Sequence, residues 1–244
     1  MKNLITILLI LVCQVYAFGQ WAIPKQMRAE NTLDRLSDKG GLSNSDILYG
    51  FPGEPGGVVG DVYLNNRWNS ATILLYQSET MIEGYPVKYD LKSNLIEIKS
   101  NAGVKVLDVK RIQNMVWRDS VTSVTQYFVN GNEYKKDGTP YAGLMEVLVD
   151  GTMPLLKRTQ ILFKAPTYNE AMGSGSKDVK IYKKSIIFYA KDGDLNEIKN
   201  KKDVLEASGD LSKEVEAYIK INKLNVSKDE GMRRVFEFIN SKKS

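Results

Sequence analysis

Between Asp61 and Ile198 the apolar residues recur mostly with a period of two. Tyr85-Pro86-Val87-Lys88-Tyr89-Asp90-Leu91 alternates apolar and polar, as a half-buried strand requires when successive side chains point to opposite faces. Leu95 to Lys99 and Val104 to Leu107 continue the pattern. Ala71 to Tyr76, Met115 to Trp117, Tyr127 to Val129, Leu144 to Val149, Ile161 to Phe163 and Ile186 to Tyr189 add further β-rich runs. Asn130-Gly131, Asp137-Gly138, Asp150-Gly151 and Asp192-Gly193 fall between them, dipeptides that tolerate the positive φ of tight hairpins. This spacing predicts antiparallel sheets, as a sandwich or an open barrel, with room for two small β units dividing near 119–125.

After Asn200 the period changes. Val215, Tyr218 and Ile219 stand at i, i+3, i+4, and Met232, Val235, Phe236 and Ile239 repeat that spacing, which lines one face of a helix. Three short helices are expected, over 201–207, 212–222 and 228–240. Ser227-Lys228-Asp229-Glu230 has the form of a capping box for the last. Gly231 inside that helix costs about 1 kcal/mol relative to Ala, so packing must support it. The expected class is α+β, mainly antiparallel β with a C-terminal cluster of short helices.

The N-terminus follows neither period. Lys2, an apolar run from Leu4 to Val12 and small residues at Ala17 and Gly19 read as a secretory signal, cut after Ala17 or after Gly19. The run is far shorter than the roughly 20 residues that span a bilayer. Val12 before Cys13 argues against lipoprotein processing, so the lone cysteine is expected to leave with the signal. The organisation expected is a signal over 1–17, a Gly/Pro-rich leader over 18–60, a β-rich body over 61–199 and a helical segment over 200–244. Ile47 to Phe51 in the leader has the apolar character of a docking strap.

Composition narrows the chemistry. The 244 residues include no histidine and one cysteine, which closes Ser-His, Cys-His and His-ligated metal mechanisms. A formal charge of +5, or +4 without Lys2, is spread through interspersed acids and bases. That favours neither a nucleic-acid partner nor a lipid-bound state, though peripheral attraction to anionic lipid headgroups or polysaccharide remains open. Ser174 to Lys177 spells S-x-x-K, but the S-D-N and K-T-G partners are lacking and Gly173-Ser174-Gly175-Ser176 reads as a turn. Glu83, Glu97, Asp108, Asp119, Glu133 and Glu146 lie on or beside strands and are expected on a solvated sheet face. No catalytic residue, cofactor site or metal site is assigned. Trp68, Tyr89 and Trp117 are the candidates to line a ligand pocket, against the plainer expectation that strand aromatics fill the core.

Several blocks carry a resemblance: Gly60-Asp61-Val62-Tyr63-Leu64-Asn65 with Trp68, Glu83 to Asp90, Val104 to Leu107, Tyr127 to Asn130, Glu146-Val147-Leu148 with Leu155-Leu156-Lys157-Arg158, and Tyr218-Ile219-Lys220. The chain resembles a family of signal-bearing envelope proteins of Gram-negative bacteria with no known activity. The resemblance implies an exported envelope component, periplasmic or attached to the outer membrane, and brings no catalytic residue with it. The expected function is a non-catalytic accessory or structural component that binds an envelope protein partner. The alternative is a periplasmic carrier or sensor of a small apolar or sugar ligand.

Overall fold

A computed structural model describes residues 56–76, 81–169 and 171–243. The expected signal over 1–17, the cysteine, the expected strap over Ile47 to Phe51 and the expected leader up to Pro55 lie outside the described residues. Thirteen strands form one open, almost wholly antiparallel sheet. They are β1 (Val58–Val59), β2 (Asn69–Leu75), β3 (Met81–Asp90), β4 (Leu95–Ser100), β5 (Gly103–Asp108), β6 (Ile112–Arg118) and β7 (Thr125–Asn130). Then come β8 (Lys135–Lys136), β9 (Thr139–Pro140), β10 (Leu144–Val149), β11 (Leu155–Lys164), β12 (Val179–Lys191) and β13 (Asp194–Ile198). The order is β5-β4-β3-β2-β6-β7-β10-β11-β12-β13-β8-β9, with β1 running parallel beside the start of β12. Helices α1 (Lys201–Ser208), α2 (Ser212–Ile221) and α3 (Asp229–Lys243) close the chain. Every strand expected from the alternation is present, several of them longer, and β6 pairs directly with β7 across 119–124.

The sheet curls because one connection is short. Between β5 and β6 lie only Val109–Arg111, in a single 3-10 turn. Such a link spans at most about 14 Å, yet the two strands stand four places apart, about 19 Å in a flat sheet. Strands β2 to β6 must therefore roll up until β5 approaches β6. Inside the roll, alternate residues such as Ile73, Val87, Ile96, Ile112 and Trp117 form the first core. Asn130 secures the turn, its side-chain amide donating to the carbonyls of Val109 (2.9 Å) and Ile112 (2.6 Å). For that reason Asn130-Gly131 is not a tight hairpin but starts a 3-10 turn. Asp137-Gly138 and Asp192-Gly193 do have both residues at positive φ and close two-residue hairpins, as expected.

The other half of the sheet is covered on both faces. Leu148, Leu155 and Ile198 pack against Val215, Val235, Phe236 and Ile239 of the helices. On the opposite face Leu156, Phe188 and Leu195 lie under Tyr134 and Tyr141, and the Tyr141 and Phe188 rings meet edge to face at 5.4 Å. Two expectations are corrected here. Glu146 is not on a solvated face but 6% exposed under α3. There Lys157 bridges it (2.7 Å) to Asp229 of α3 (2.8 Å), and Arg233 adds a longer contact at 3.5 Å. The Ser227–Glu230 capping box does not form, because Asn225 accepts the Ser227 N–H instead. A capping box does form at α1, where Asn200 and Asp203 bond each other's backbone N–H groups. Gly231 is required by a close approach: a Cβ there would run into the Asn225 carbonyl of the preceding turn.

Candidate functional site

An open cleft of about 450 Å3 lies where β11 runs past the end of β10, against the β3–β4 turn. Leu91, Lys92, Tyr141, Ala142, Arg158, Gln160, Ile161 and Phe163 line it. Arg158 is the unusual member, since its side chain is on a strand that alternation buries and the residue is 7% exposed.

Neutral groups hold that guanidinium. Nη1 donates to the Tyr89 hydroxyl (3.0 Å) and to the Leu144 carbonyl (2.9 Å), and Nη2 donates to Asn94 Oδ1 (3.1 Å). The Tyr89 hydroxyl in turn donates to Asn94 Oδ1 (3.0 Å) and accepts the Leu144 N–H (3.3 Å). Asn94 reaches this position from the left-handed region, φ 54°, at the tip of the β3–β4 turn. Gly143, φ +97°, gives the guanidinium its space, for a Cβ there would overlap it. A guanidinium has five N–H donors; the three bonds leave the Nε–H and one Nη2 hydrogen without a protein acceptor among the described residues. No carboxylate among the described residues pairs with Arg158. A buried cation without a counter-charge is disfavoured, and among the described residues nothing compensates the positive charge at the cleft floor.

The walls set a second requirement. Leu91, Ile161 and Phe163 are apolar, and the exposed Lys92 holds its ammonium 5.5 Å from the Phe163 ring centroid, at the rim. Gln160 donates to the Tyr141 hydroxyl at 3.3 Å. Burial pushes the Tyr141 phenol above its ordinary pKa, and the nearby Arg158 charge and the Gln160 bond offset part of that rise. Tyr141 is therefore a neutral hydrogen-bonding wall at physiological pH.

The three aromatics expected to share a pocket are not brought together. Trp117 and Tyr89, each 1% exposed, fill the core of the roll, and Tyr89 reaches the cleft only through its hydroxyl on Arg158. Trp68 is half-buried elsewhere, with the Lys88 ammonium 5.0 Å from its ring. Ser174 is exposed in the loop between β11 and β12, paired through its backbone with Asn169, while Lys177 lies over the Tyr168 ring at 4.8 Å. Sequence reasoning missed Arg158 as a site residue. The available signal was its register: it shares a strand face with Leu156, a core residue.

Among the described residues no helix is long and apolar enough to cross a membrane, and no group of three or more Cys, Asp or Glu is placed to hold a metal ion. The site and fold define a curled open β-sheet with a cation-floored cleft. No family model matches this chain, and no curated protein or solved structure matches it either.

Proposed function

We propose that this protein is an exported, non-catalytic envelope component that works by binding, and that the Arg158 cleft holds the anionic group of what it binds. One observation carries the reading: an arginine more than nine-tenths buried on the floor of an open cleft, with two N–H donors that have no protein acceptor and no carboxylate partner among the described residues. Two donors on one edge of a planar guanidinium suit the two oxygens of a carboxylate. The apolar walls ask that this carboxylate carry an aliphatic body, which narrows the carrier alternative from sugars to apolar acids. Export is supported by the sequence pattern of Lys2, Leu4 to Val12 and Ala17.

The test is an NMR titration of the 15N-labelled protein with hexanoate and, separately, with 1-hexanol. Hexanoate is expected to shift the amides of residues 91–92, 141–142 and 158–163, and hexanol to shift them far less. Equal responses to the two probes, or hexanoate shifts elsewhere only, would remove the anion-binding reading.

A further inference from the structure

The cleft also has an open main-chain edge. In the β11–β12 ladder the Ala190 N–H donates to the Pro154 carbonyl (3.0 Å). With the register running unbroken from Leu155 opposite Tyr189 to Lys164 opposite Lys180, the even-numbered residues of β11 are those bonded to β12. Thr159, Ile161 and Phe163 therefore turn their N–H and C=O groups the other way. On that side β10 pairs with β11 only as far as Lys157. Leu144, which would come next, has its N–H and carbonyl engaged by Tyr89 and Arg158. Ile161 and Phe163 are thus left with main-chain groups that bond no strand among the described residues, and both residues line the cleft.

From this geometry we infer that the cleft receives the carboxyl terminus of an extended peptide, added to β11 as an antiparallel strand. The inference rests on the proposed anion-binding role of Arg158 and names the ligand. The direction follows from charge. Arg158 stands at the N-terminal end of the open edge, so a carboxylate held there places the peptide's last residue beside Thr159 and its earlier residues beside Ile161 and Phe163. The peptide then runs against β11, the stabler pairing. The edge from Thr159 to Phe163 is about 14 Å long at strand rise, room for about four residues. Main-chain bonds to Ile161 and Phe163 provide affinity that is independent of sequence. Leu91, Ile161 and Phe163 meet alternate peptide side chains, and the Lys92 ammonium, 5.5 Å from the Phe163 ring centroid, stands at the end of the edge away from the carboxylate.

The experiment titrates the 15N-labelled protein with two octapeptide pools randomised over the last four positions, one with free carboxyl termini and one amidated. The free-acid pool is expected to shift residues 158–163 and to slow hydrogen exchange at the Ile161 and Phe163 amides. Amidation, which removes a charged hydrogen-bond acceptor, is expected to weaken binding about 10-fold or more. Arg158→Gln should abolish the difference between the pools. Equal binding of both pools overturns the carboxylate anchor. Shifts without exchange protection at Ile161 and Phe163 overturn strand addition. If hexanoate binds and neither pool does, the peptide assignment falls while the anion-binding role stands; if neither hexanoate nor peptide binds, both fall.

Discussion

Replacing Lys157 by Met tests the contact that holds α3 to the sheet. The Lys157 ammonium is the shared partner of Glu146 and Asp229, at 2.7 and 2.8 Å, and its side chain is 15% exposed. Methionine keeps the aliphatic stem but leaves the Glu146 carboxylate, 7% exposed, with only the 3.5 Å contact to Arg233 among the described residues. Removing one partner of a buried pair costs about 3–5 kcal/mol. Here Asp229 is half exposed and Arg233 remains, so the expected loss is about 2–3 kcal/mol. At about 2–4 °C per kcal/mol that is a fall in Tm of roughly 5–10 °C.

The pH dependence has a definite sign. Burial pulls the Lys157 pKa down, but its hydrogen bonds to Asp229 and Glu146 outweigh burial and leave it raised. A raised folded-state pKa gives stabilisation that is complete below the unfolded lysine value, about 10.4, and lost as pH climbs through the folded one. Urea denaturation of both proteins between pH 7 and 11 should show a constant gap up to about pH 9 that narrows above about pH 10.4. A gap under about 0.5 kcal/mol at pH 7, the range of ordinary surface substitutions, would refute the argument, as would one that does not narrow in alkali.

Phe236→Ala empties a fully buried site between the helices and the sheet and is expected to cost about 3–5 kcal/mol by urea denaturation. Gly143→Ala combines a positive φ with overlap onto Arg158 and should lose about 3 kcal/mol together with hexanoate binding. Gly84→Ala shares the positive φ but has open space around it, so a loss of about 1–2 kcal/mol and normal binding are expected. Asn200→Ala removes the α1 cap, with about 1 kcal/mol lost by thermal melting and no change at the cleft.

The strands were readable because each one alternates across a single buried face, as the burial of Asn69, Ala71, Ile73 and Leu75 in β2 shows. The helices were readable for the same kind of reason, since Val235, Phe236 and Ile239 mark one stripe. Charged residues on strands were not readable. Glu97 and Glu146 look alike in the sequence, yet Glu97 stays partly solvated beside the Tyr63 hydroxyl and Glu146 lies under α3. Which side of the sheet the helices cover depends on contacts with residues some 80 positions away, as the Arg233 bond to the Leu148 carbonyl illustrates.

Local periodicity, turn dipeptides and the helical stripe, all properties of neighbours in the chain, by themselves determined that this protein is an antiparallel sheet followed by short helices. With no histidine among its 244 residues, this chain cannot itself supply an imidazole base or ligand. Only the tertiary structure decided that the sheet curls and that β11 outruns β10. It alone brings Tyr89, Asn94, Leu144 and Arg158 to one point from three separate segments. A site made by long-range convergence leaves no spacing in the sequence, because no two of its segments are held together until the strands pair.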